Sequence, residues 1–195
     1  IIVSNSKPTI TELDITPANP TVSDTLTCAA VGTTDVDGDS VTLTYEWTLA
    51  SAIVGSGTTL DTGYVKGDAV DCRATPFDGF LNGDPLVETV TIANSIPEVD
   101  SASIAILPAS PTSSDTVTVS FTDSDSDNDP LTYTLSWYVD GTFVTDASDL
   151  TMDLSSLGVG GGSELYVSIV ASDGEDDSLP AISLPLVVDN SLPVA

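Results

Sequence analysis

The sequence contains no histidine and only three basic side chains: Lys7, Lys66 and Arg73 stand against 30 acids, for a net charge of −27. Without histidine, the Ser–His and Cys–His nucleophile arrangements are excluded, as is any zinc site built on imidazole. So negative a chain repels phosphate backbones and anionic headgroups, so nucleic acid and membrane surfaces are poor partners. No apolar run approaches the roughly 20 residues that span a bilayer, so no membrane insertion is expected in this segment. There is no initiator Met and no basic-then-apolar leader, so any signal peptide is expected outside these residues. Cysteine occurs twice, at Cys28 and Cys72, and glutamate is scarce: 24 of the acids are Asp and 6 are Glu. A merely solubilised surface would use both acids, whereas short carboxylates crowded into loops suit hard cations such as Ca²⁺.

What is present is β-sheet material. Hydrophobic residues make up 41% of the chain. They are mostly Val, Ile and Leu, set among abundant Thr and Ser, a mixture that packs well on pleated surfaces. The sequence also repeats itself. "NSKP" at 5–8 returns as "NSIP" at 94–97 and "NSLP" at 190–193. Between them, "TPANPTVSDTLT" at 16–27 matches "LPASPTSSDTVT" at 107–118. "DVDGD" at 35–39 matches "DSDND" at 125–129, Trp47 matches Trp137, and "FDG" at 77–79 matches "SDG" at 172–174. These landmarks define a tail strand of a preceding module at 1–4, module 1 at 5–93, module 2 at 94–189, and a linker to a following module at 190–195. The chain reads as a slice of a longer array. The alternative for residues 1–4 is a donor strand that polymerises the protein by strand addition.

Within each module, short runs alternate apolar and polar residues between Gly, Pro, Asp and Asn. Val41, Leu43, Tyr45, Trp47 and Leu49 are matched by Leu131, Tyr133, Leu135, Trp137 and Val139, each set on one face of a strand. In module 1 the pattern predicts strands near 9–16, 25–31, 41–49, 52–55, 58–61, 68–75 and 86–92. About seven strands per module, with Trp on the third, predict an all-β fold of two tandem immunoglobulin-like β-sandwiches. Cys28 on the second strand and Cys72 on the sixth, with Trp47 between, follow the disulfide order of that fold. Val119 and Val167 stand at the aligned positions of module 2, as facing core sites would. A Cys28–Cys72 disulfide and an oxidising compartment are therefore expected. The alternative is a pair of buried thiols.

The runs "DVDGDSVTLTYEW" at 35–47 and "DSDNDPLTYTLSW" at 125–137, with the Asn-Ser-x-Pro linkers, resemble the tandem immunoglobulin-like repeats, PKD-like and cadherin-like, of large prokaryotic surface proteins. The resemblance covers essentially the whole chain and implies an extracellular or cell-surface module. It is incomplete: Val70 and Leu165 occupy the place of the tyrosine corner, and cadherin's full linker motif is missing.

In such a sandwich, the loops after the second and sixth strands meet at the pole where the first strand starts. Asn5, Asp35, Asp37, Asp39, Asp78 and Asp84 should gather at one pole. In the second module, Asp125, Asp127, Asp129 and Asp173, with Asp123, Asp176 and Asp177, should gather at the equivalent pole, beside Asn94. Asp24 and Asp68 would face the second linker. Carboxylates so crowded repel unless a cation of 6–8 oxygen ligands sits among them, and Ca²⁺ is the extracellular candidate. The alternative is ordinary acidic turn chemistry. An EF-hand is the wrong reading of Asp35, Asp37, Asp39 and Glu46, because Ser40 stands where Gly is required and residues 41–49 form a strand. No catalytic residue is expected. The expectation is a non-catalytic repeat of a surface fibre, stalk, filament or adhesin, stiffened by Ca²⁺ at module junctions, whose partners are neighbouring modules or subunits. The alternative is a glycan- or protein-binding accessory module.

Overall fold

The computed structural model of the chain describes residues 4–147 and 149–190. Residues 1–3 of the expected tail strand and 191–195 of the expected linker lie outside the described residues. The chain divides into two compact units, Ile1–Ser95 and Ile96–Ala195.

In the first unit the alternating runs fold as seven strands: β1 (Thr9–Thr16), β2 (Leu26–Thr34), β3 (Thr42–Leu49), β4 (Ala52–Ser56), β5 (Thr59–Leu60), β6 (Ala69–Phe77) and β7 (Leu86–Thr91). They form two sheets, β1-β2-β5 and β4-β3-β6-β7. The apolar faces close over Ile10, Ile15, Leu26, Trp47, Leu60, Val70 and Ile92, all buried. β2 continues to Thr34, beyond the end at 31 that alternation predicts. Its last residues stay paired with Thr9 and Ile10, and the Thr9 and Thr34 hydroxyls bond at 2.9 Å. Hydrophobic periodicity is blind to that polar extension. Cys28 lies opposite Ile15 and Cys72 opposite Trp47, one in each sheet. The two cysteines form a disulfide across the sandwich.

The second unit repeats the plan with interruptions. Its strands are β8 (Glu98–Val99), β9 (Ala105–Leu107), β10 (Thr116–Ser120), β11 (Asp123–Ser124), β12 (Thr132–Val139), β13 (Thr142–Ala147), β14 (Thr151–Asp153), β15 (Glu164–Ser172), β16 (Ala181–Ile182) and β17 (Leu186–Val187). The sheets are β9-β10-β14 and β13-β12-β15-β16, with β17 also on β15 and a small β8-β11 pair. The first strand position is split because ten residues lie between Pro97 and Pro108, against eight between Pro8 and Pro17. A 3-10 turn at Ser101–Ser103, capped by Asp100, takes up the excess.

The last strand position is split too, and two buried serines repair it. Ser183 Oγ accepts from Val167 N–H at 3.0 Å, and Ser178 Oγ accepts from Ala171 N–H at 2.9 Å. Each hydroxyl stands in for a ladder carbonyl, so no β15 donor is left unsatisfied at the breaks. Val119 and Val167 face Ile106 and Trp137, the register positions that Cys28 and Cys72 occupy in the first unit.

Candidate cation-binding loops

The two Asp-rich turns are built alike. In the first, Asp35 Oδ1 accepts from Asp37 N–H at 2.8 Å and Asp39 N–H at 3.2 Å. In the second, Asp125 Oδ1 accepts from Asp127 N–H at 2.9 Å and Asp129 N–H at 3.1 Å. Gly38 and Asn128 hold the turns at φ of 83° and 62°, the left-handed region that Gly and Asn enter most easily. The geometry follows from the D-x-D-[GN]-D spacing, in which one carboxylate oxygen folds the loop around itself.

The other oxygen of each leading aspartate differs in kind. Asp35 Oδ2 and Asp125 Oδ2 are buried and have no hydrogen-bond partner among the described residues. A buried carboxylate oxygen left unpartnered is costly, and a cation is one group that satisfies it. The loops part company at the next acid. Asp37 Oδ2 is drawn to Ser6 N–H at 2.6 Å, which ties the first loop to the strand entering the unit. In the second loop, Asp125, Asp127 and Asp129 present oxygens that all lie within 4.8 Å of one another. Among the described residues that is the sole grouping of three such ligands. An open cavity of about 430 Å³ adjoins it, lined by Asp123, Asp125, Asn128, Asp129 and Tyr133. The Tyr133 hydroxyl donates to Asp123. Its burial and that hydrogen bond push its pKa up to about 12.

Other acids expected at these poles are engaged elsewhere. Asp78 is buried. Its Oδ1 accepts from Phe80 and Leu81 N–H at 2.7 Å each, and its Oδ2 accepts from the Asn5 amide at 2.9 Å. Asp173 repeats the turn with Glu175 and Asp176 N–H, again at 2.7 Å. Asp84 meets Lys7 at 3.4 Å in an exposed pair, of a kind that contributes little. Asn94 accepts from Lys66 Nζ at 3.0 Å within the first unit. Asp24 closes the Thr21 turn, and Asp68 caps Val65. What sequence reasoning missed is the capture of Asp37 by Ser6. A serine N–H three residues before β1 carries no sequence signal.

Asp78 has a measurable consequence. The Leu81 N–H above all, then the Phe80 N–H and the Asn5 amide, hold its carboxyl below the ordinary range, against the opposing effect of burial. In the second unit, the Thr112 N–H and hydroxyl do the same for Asp115. A carboxylate with a depressed folded-state pKa adds stability that is present above the unfolded value of about 3.9 and lost as pH falls through the folded one. Both units should therefore lose stability below pH about 4. Asp78→Asn keeps an acceptor for the turn but does not titrate, so the acid limb of the first unit should flatten. Circular-dichroism melts from pH 7 to 2 read this directly, and an unchanged acid limb in the variant would refute it.

Strand order, core and loop placement define the class: an all-β protein of two tandem immunoglobulin-like sandwiches. No protein-family model matches the sequence, and no curated protein does. Among solved structures, the chain is similar to the FN1–FN3 domains of chicken CNTN1, with 10% identity over 98% of this chain and 69% of that one, at a TM-score of 0.41. It is also similar to a two-domain fibronectin type-III segment of chicken tenascin, with 16% identity over 96% and 100% at a TM-score of 0.41. A third is the fibronectin(III)-like modules of Clostridium thermocellum CbhA, with 14% identity over 92% and 95% at a TM-score of 0.33. Among the described residues, no helix is long and apolar enough to cross a membrane.

Proposed function

We propose that the chain is a non-catalytic spacer of an extracellular surface fibre, stalk or adhesin, and that Ca²⁺ bound by Asp125, Asp127 and Asp129 stiffens it. The supporting observation is the second loop itself: three converging carboxylates and one buried, unpartnered oxygen on Asp125. At the outer separation of 4.8 Å and an effective dielectric of about 20, a pair of like charges repels by roughly 3 kcal/mol. A dication with several oxygen ligands reverses the sign of that interaction, while water completes the shell through the adjoining cavity. The first loop is the weaker candidate, because Asp37 is already engaged by Ser6. The disulfide suits an oxidising, extracellular setting, and the absence of histidine with the tying of Asp24, Asp68, Asp78 and Asp173 into turns supports a role without chemistry. The resemblance to PKD-like and cadherin-like repeats belongs with this reading, as do placement in a longer array and partnership with neighbouring modules.

A cation that binds only the folded state stabilises it by about 2.7 kcal/mol at a hundredfold excess over Kd. For a unit of this size that raises the melting temperature by on the order of 10 °C. Calorimetry in millimolar Ca²⁺ against EDTA should show the shift in the second unit's transition, and Asp125→Asn with Asp127→Asn should abolish it. Superimposable traces with Ca²⁺ and EDTA would sink the proposal.

A further inference from the structure

The two units are an internal control for one another, and one surface differs in kind between them. On the outer face of the sheet β13-β12-β15-β16, Tyr138 and Tyr166 stand stacked with ring centroids 4.8 Å apart and planes within 5°. Phe143 meets Tyr138 edge-on at 5.8 Å. The band continues onto the last strand position, where Ile182, Leu184 and Val187 are 54%, 85% and 50% exposed. It crosses five strands: β13, β12, β15, β16 and β17.

The scaffold does not require these residues. The matched positions in the first unit are Ile53, Thr48 and Asp71, fixed by the pairing of Thr48 with Ile53 and Asp71. There Asp71 accepts from the Thr89 hydroxyl at 2.7 Å, which is ordinary surface chemistry. The same fold therefore stands with polar residues where the second unit has stacked tyrosines. Along the outward positions of β12, β15, β16 and β17 the sole charge is Glu164, at the start of β15, and on β13 Asp146 pairs with outward Ser136, in a chain with 30 acids. A charge-depleted, aromatic centre is the composition of a protein interface core. At its end lie Asp140 and Glu164, joined by a 2.8 Å bond from Glu164 N–H to Asp140 Oδ1.

We propose that this face is a docking surface for a basic protein partner, one that sets an apolar centre on Tyr138 and Tyr166 and a positive rim against Asp140 and Glu164. Charge complementarity selects this occupant: two copies of the chain, each at −27, repel, whereas a basic rim is drawn in. The tyrosine rings stand face to face with each other, so neither ring lies flat as a platform for a sugar. Pro180 and Pro185 interrupt the neighbouring edge, which disfavours addition of a partner strand there. The surface is independent of the Asp125 loop and of any cation.

The test uses the whole chain and two synthetic peptides of equal charge, one alternating Arg with Leu and the other Arg with Ser. At physiological salt, NMR titration should show the Arg/Leu peptide shifting amides around Ser136, Tyr138, Tyr166 and Ser168, with at least tenfold tighter binding than Arg/Ser. Tyr138→Thr with Tyr166→Asp installs the first unit's residues at the same positions and should erase that preference while leaving the melt intact. Equal binding of both peptides, shifts confined to the acidic loops, self-association through this face, or a neutral oligosaccharide displacing the peptide would each overturn the proposal.

Discussion

Reduction of the Cys28–Cys72 disulfide should cost the first unit about 4 kcal/mol and leave the second unchanged. The bond closes a chain separation of 44 residues, and removing that constraint returns loop entropy to the unfolded state. Both cysteines are buried, so reduction also leaves two thiols in a core packed against Trp47. For a unit of fewer than a hundred residues this corresponds to a fall in melting temperature of roughly 15–25 °C. The second unit carries Val119 and Val167 at the same register positions and holds without a crosslink. Calorimetry with and without reductant should therefore pull one transition away from the other. A shift of both transitions together, or of neither, would contradict the assignment. Cys28→Ala with Cys72→Ala should reproduce the effect of reductant.

Replacing Trp47 or Trp137 by Ala should cost about 3–5 kcal/mol in the unit concerned. Both indoles are fully buried at the centre of their sandwiches, and no neighbour can collapse into a space of that size. The more informative change is to Phe. The Trp47 indole N–H donates to Gly57 O at 3.0 Å, whereas the Trp137 indole N–H is buried with no partner among the described residues. Trp47→Phe loses a hydrogen bond as well as volume. Trp137→Phe loses volume but relieves an unsatisfied donor, a burden of about 1–3 kcal/mol. Trp137→Phe should therefore be the milder change by about 1 kcal/mol or more, as read by urea unfolding of each variant. Equal losses in the two units would show that the Trp137 donor is satisfied after all.

The sequence carried the fold well because its signals are local or periodic. Period-2 runs placed Trp47 and Trp137 in the core, and Val119 and Val167 marked positions that the structure finds in register with Cys28 and Cys72. The misses are of another kind. The extension of β2 to Thr34 has no apolar rhythm, and the split of the first strand in the second unit turns on two extra residues between Pro97 and Pro108. The rescue of the last strand by Ser178 and Ser183 depends on side chains acting as backbone, a role no propensity encodes. In the candidate site, the spacing of Asp125, Asp127 and Asp129 was plain, but whether an acid converges or turns away is decided by single distant donors. Ser6 engages Asp37, and Asn5 engages Asp78. Tyr166, on β15, stands on the outer face beside Tyr138.

The most direct test of the account is an amide NMR titration of the whole chain with Ca²⁺ against a background of monovalent salt. The account predicts saturable shifts centred on residues 123–133, absent when Asp125 and Asp127 are changed to Asn. Shallow, unsaturable shifts spread evenly over the acids of both units, identical in the variant, would contradict it.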